Sequence, residues 1–140
     1  MRAPGRWILP MAVLLAAAAC AGGLTDDDRQ ATEQGRAYTA MFYGREFDQL
    51  WSRFSPEMKL TFPTAQELAR FAGQAASELG AEQPNGVEES VTREDTVTVY
   101  SRRASFGAAG QRMLVEWTIG AGGMVTGLVI RPAAGDSLPG

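Results

Sequence analysis

The residues best equipped for chemistry in this chain are two carboxylates and three tyrosines: Asp48, Glu116, Tyr38, Tyr43 and Tyr100. A carboxylate base beside a phenol that donates to a developing oxyanion, enclosed in an apolar site, is the equipment of an isomerase or dehydratase. Glu116 is the stronger base candidate. It stands between Val115 and Trp117 in a strand-like run, where a charge must face water or be buried with a partner. The other reading makes it a solvent-facing residue paired across strands with Arg102, Arg103 or Arg112. Tyr38, Trp51, Tyr100 and Trp117 are candidates for the wall of a ligand pocket, although large aromatics at apolar spacing also serve as core.

Several other catalytic sets are missing from the sequence. The chain has no histidine, so no Ser-His-Asp triad can be assembled. Ser55 and Lys59 lie four apart, one more than the serine β-lactamase nucleophile motif requires, and its Ser-Asp-Asn and Lys-Thr-Gly companions do not occur. Ser55, followed by Pro56, reads instead as a helix cap. Gly120, Gly122 and Gly123 connect two strand-like runs rather than opening a helix, which makes them turn glycines and not a phosphate loop. The acidic triplet Asp26, Asp27 and Asp28 lacks the spacing of a calcium loop and reads as the N-cap of a helix. With no histidine and Cys20 as the only cysteine, neither a metal site nor another cofactor is expected.

The N-terminus carries an address. Arg2 and Arg6 precede an apolar run over 7–19 that ends at Cys20. A spanning helix needs about 20 apolar residues, and Pro10 would disturb one; a positive lead, a short apolar segment and a small-residue exit form a secretory signal. Cys20 after Ala17, Ala18 and Ala19 resembles the bacterial lipoprotein signal, with Ala17 where that pattern has Leu or Val. The resemblance implies that Cys20 receives a diacylglycerol, with acyl chains such as palmitate, and becomes the mature first residue on the cell membrane. Ordinary cleavage at an Ala-x-Ala site, leaving a secreted protein, is the alternative. Residues 20–25 would then be a tether reaching no more than ~20 Å.

Without residues 1–19 the chain keeps 121 residues, with 11 basic against 16 acidic side chains and a formal charge of −5. Such a surface does not favour nucleic acid. The length suits one domain, expected over 26–132, able to bury roughly two thirds of its unfolded surface. A tail is expected over 133–140, Ala-Ala-Gly-Asp-Ser-Leu-Pro-Gly.

Periodicity sets out the elements that must position the candidates. Ala31, Tyr38 and Phe42 form a helical stripe ending at Gly44, and Phe47, Leu50, Trp51 and Phe54 a second over 46–54. Ser55 and Pro56 start a further turn carrying Met58. A third full helix opens with the Thr64 and Glu67 pair and runs to Gly80. Strands are expected over 87–92, 96–106, 112–119 and 124–131, with a tight hairpin at Ala121, Gly122 and Gly123. In the third strand Met113, Val115, Trp117 and Ile119 share one face. The order implies an α+β fold, with three N-terminal helices against one face of a four-stranded antiparallel sheet.

Phe47-Asp48-Gln49-Leu50-Trp51, Phe54-Ser55-Pro56-Glu57-Met58-Lys59 and Gly127-Leu128-Val129-Ile130-Arg131-Pro132 resemble the bacterial domain of unknown function 3887. The resemblance spans residues 30–132 and implies a small cystatin-like, nuclear-transport-factor-2-like domain. Such domains often stand before exported serine hydrolases, which implies an accessory role in trans on a separate hydrolase as one possibility. The motifs are packing residues and turns, so they speak to fold more than to activity. The leading expectation is a non-catalytic, lipid-anchored envelope domain that binds a partner protein or a small apolar ligand; the rival is a pocket enzyme using Glu116 or Asp48 as base.

Overall fold

The computed structural model describes residues 25–133; the expected signal segment, Cys20, most of the tether and residues 134–140 lie outside them. Four helices precede the sheet, where three are expected: α1 (Asp26–Tyr43), α2 (Phe47–Trp51), α3 (Pro56–Thr61) and α4 (Ala65–Leu79). The additional helix is the turn carrying Met58. The Ser55 hydroxyl accepts the Met58 N–H at 3.2 Å, and Pro56 presets the first helical φ, so the turn closes into six helical residues. α2 is shorter than expected because the chain leaves it to pair with the sheet. Val125 donates its N–H to Arg53, and Ser55 donates its own to Val125, both at 2.8 Å.

At the start of α1 the cap is Thr25, one residue before the acidic triplet expected to supply it. The Thr25 hydroxyl accepts from the Asp28 N–H at 3.0 Å, and the Asp28 carboxylate accepts from the Thr25 N–H at 3.4 Å. The triplet instead fills the first turn, where negative charge opposes the helix dipole.

The strands β1 (Glu88–Glu94), β2 (Val97–Ala104), β3 (Met113–Ile119) and β4 (Val125–Pro132) form an antiparallel sheet in chain order. Asp95 and Thr96 close the first hairpin, with Asp95 at φ 57°, a conformation aspartate tolerates. Gly122 and Gly123, at φ 69° and 77°, close the last, and the Tyr38 hydroxyl ties that turn to α1 by donating to the Gly123 carbonyl. Ala133, expected to begin the tail, is buried and donates its N–H to Arg112.

Alternation in β3 positions the core. Met113, Val115, Trp117 and Ile119 are buried under the helices, while Leu114, Glu116 and Thr118 are half-buried on the outer face. Tyr38 and Phe42 of α1 pack on Trp117 at ring separations of 5.8 and 6.0 Å. The Trp117 indole donates to the Thr39 hydroxyl at 3.0 Å, which donates to the Gly35 carbonyl at 2.7 Å, so the polar atoms carried into the core are satisfied. Among the described residues no helix is long and apolar enough to cross a membrane.

Candidate ligand cavity and its charged rim

A cavity of about 730 Å³ lies between α4 and the helix-covered face of the sheet. On one side α4 presents Ala69, Ala72, Gly73 and Ala76; on the other stand Val115 of β3 and Ile130 of β4. Phe42, Phe47 and Phe106 complete the apolar lining. The space follows from side-chain size. The alanines and glycine that line the cavity on α4 are too short to reach the sheet, although α4 is held in place by Leu68, fully buried, and by Phe71 packed on Phe42 and Phe62. Volumes of roughly 300 to 1,000 Å³ with apolar walls are those of small-molecule sites.

Charged groups gather at the rim. The loop after α4 pairs with the end of β2, through Gln83 N–H to Ser105 at 2.8 Å and Gly107 N–H to Ala81 at 2.9 Å, and so delivers Glu82 to the sheet. There Arg102 donates to Glu82 from Nη2 at 2.6 Å and from Nε at 2.9 Å. The Tyr43 hydroxyl donates to the same carboxylate at 2.8 Å. Glu89, opposite Arg102 in the β1–β2 register, accepts from Arg36 Nε and Nη2 at 2.8 and 2.6 Å and from the Tyr100 hydroxyl at 2.6 Å. Arg102 Nη1 lies 3.5 Å from Glu89, so this guanidinium links the two carboxylates.

The protonation equilibria follow from these contacts. The Arg36 hydrogen bonds hold Glu89 down at about 2, assisted by Tyr100 and opposed by partial burial. Burial, then the hydrogen bond to Glu89, pushes Tyr100 up to about 12. Tyr43 is 42% exposed as a residue and its hydroxyl donates to Glu82, and partial desolvation with that adjacent charge raises its pKa above the ordinary phenol value. The hydrogen bonds to Glu82 raise Arg102 above the ordinary guanidinium value. The network therefore consists of two carboxylates matched by two guanidiniums, with phenols that keep their protons. A proton-transfer base needs the opposite environment, one that raises a carboxylate towards neutrality.

Comparison of the chain with protein-family models, with curated proteins and with solved structures finds no match. The site must be read from its own geometry.

The sequence candidates fall elsewhere. Glu116 lies on the outer face of the sheet, where it accepts from the Ser101 hydroxyl at 2.9 Å and from Arg131 at 3.2 Å, while Arg102 and Arg112, two of the expected partners, pair with Glu82 and Glu88. Asp48 is exposed in the first turn of α2. Neither lines the cavity. Tyr38, Tyr100 and Trp117 are core residues whose rings are consumed by packing. Trp51 donates to the Phe62 carbonyl at 2.8 Å and carries Lys59 over its ring at 4.2 Å. Of the tyrosines, Tyr43 alone reaches the cavity wall. Glu82, Glu89 and Arg102 were not among the expected site residues, and an available signal was the opposite charge of Glu89 and Arg102 across a two-residue hairpin.

Proposed function

We propose that the chain is an exported cell-envelope protein, held to the membrane by lipid on Cys20, whose cystatin-like domain binds a small apolar ligand without transforming it. One observation carries the binding part: the cavity between α4 and the sheet has apolar walls, and its wall carboxylate, Glu82, is already occupied by Arg102 and Tyr43. Such a site can exclude water from a hydrocarbon surface. It offers no free base to act on one. The helix-first order, the antiparallel sheet and the motifs around Trp51, Met58 and Ile130 support the likeness to the domain of unknown function 3887.

Titration with a neutral fluorophore such as Nile red tests the binding. Saturable enhancement with one site per chain is expected for the native protein, and strong loss of it in Gly73→Trp, which places an indole at a lining position. Absence of saturable binding by the native protein overturns the reading. For the anchor, intact-mass measurement of membrane-extracted protein should find Cys20 as a diacylated N-terminus; an unmodified soluble species alone refutes lipidation.

A further inference from the structure

Two charged residues line the cavity, and they differ in standing. Glu82 is compensated by the bidentate Arg102 and accepts a hydrogen bond from Tyr43. Arg45 has neither an ion pair nor a side-chain hydrogen bond among the described residues.

Arg45 is also held in an unusual place. α1 ends with the Gly44 N–H donating to Ala40 at 2.8 Å, the Arg45 N–H to Phe42 at 3.4 Å and the Glu46 N–H to Met41 at 2.8 Å. In that paired closure the left-handed position belongs to the residue after the cap, and glycine is its usual occupant. Here Gly44 stands one place early at φ −82°, and Arg45 takes the left-handed position at φ 61°. A long side chain pays a steric cost there that glycine would avoid. The same hydrogen bonds occupy the last carbonyls of α1, which removes them as partners for the guanidinium. A strained, unpaired cation beside an apolar cavity has charge to offer a ligand.

We propose that the cavity selects a monomeric apolar carboxylate, a hydrocarbon chain or ring system bearing one acid group, with the acid held by Arg45 and the hydrocarbon between α4 and the sheet. This rests on the ligand-binding reading above. Planar guanidinium matches a carboxylate with two parallel donors, and an apolar tail adds affinity in proportion to the surface it buries. The balanced rim network leaves Arg45 as the uncompensated charge among the described residues lining the cavity.

Competition against bound Nile red tests the choice, using decanoate and its neutral counterpart 1-decanol. Decanoate should bind roughly fivefold more tightly, and added salt should shrink the preference. Arg45→Gln should abolish it while 1-decanol binding stays the same. Arg45→Gly should do likewise in a protein at least as stable as the native one, which separates loss of the charge from loss of the fold. Equal binding of the two probes, or a preference that survives both variants, overturns the proposal and leaves apolar binding standing. Failure of Nile red and both probes instead removes the ligand-binding reading beneath it. Vesicles containing phosphatidylglycerol should leave the fluorophore in place, because the cavity takes a detached molecule; displacement by vesicles and not by decanoate overturns the monomeric ligand.

Discussion

The ring of Tyr100 occupies the space that a β-carbon on Gly35 would need. α1 can lie close to β2 because residue 35 has no side chain, and the closeness lets Tyr100, fully buried in its ring, extend its hydroxyl to Glu89 at the rim. Core packing and rim electrostatics are thus joined through one side chain.

Gly35→Ala should therefore destabilise the domain by about 2–3 kcal/mol, the usual cost of overpacking a filled core, even though alanine is the better helix former. Denaturant unfolding provides the measurement. A stability equal to or above the native value would mean that α1 and Tyr100 are free to separate.

Glu89 sets an acid limit. Its folded pKa, about 2, lies below the unfolded value near 4.5, so its contribution is present above pH ~4.5 and lost as the pH falls towards 2. With Arg36 largely exposed, salt screening trims the contribution to about 2 kcal/mol. Glu89→Gln should cost that amount at neutral pH and nearly nothing at pH ~2. Parallel stability curves for the two proteins across this range would show that the Arg36 and Tyr100 contacts hold no net free energy.

The alkaline side has the opposite sign. Tyr38, Tyr43 and Tyr100 are all raised in the folded state, so they contribute stability below pH ~10 that disappears as each deprotonates above it. Spectrophotometric titration should find no phenol ionising at the ordinary value while the domain is folded. One normal phenol would most directly question the contact of the half-exposed Tyr43 with Glu82.

The elements were legible where their cause is local. Alternation from Met113 to Ile119 correctly identifies the buried face of β3, because a strand places successive side chains on opposite sides. Ser55 and Thr64 mark helix starts for the same kind of reason, a hydroxyl satisfying an N–H three residues on. The cavity was not legible, since alanines on α4 read equally as a close-packing stripe, and only the separation of α4 from Val115 and Ile130 turns them into a wall. Glu82 was hidden because a loop, paired through Ala81 and Gln83, carries it to Arg102. Counting back from the Asp95 and Thr96 turn does bring Glu89 opposite Arg102, a register inference requiring the hairpin to be placed first.

The Arg102 and Glu82 pair should behave as a largely desolvated ion pair, their side chains being 19% and 11% exposed. Glu82→Gln leaves Arg102 with the more distant Glu89 and should cost about 2–3 kcal/mol. Adding Arg102→Met should recover part of the loss, because the guanidinium stranded by the loss of Glu82 is then gone, while Glu89 keeps Arg36. A double variant as unstable as the sum of the two single ones would mean that the residues act independently.

Gly73 separates the needs of the cavity from those of the fold. It sits inside α4, where glycine costs about 1 kcal/mol relative to alanine, and a β-carbon built there meets no atom within 4 Å. Gly73→Ala should raise stability by about 0.5–1 kcal/mol without closing the cavity, so Nile red binding should persist. The same position in Gly73→Trp should lose binding while the domain stays folded. A stability gain from alanine together with lost binding would indicate that the free space at residue 73 is where the ligand lies closest to α4. Unchanged stability would instead mean that packing elsewhere on the helix offsets its propensity, and that α4 adjusts its position over the sheet.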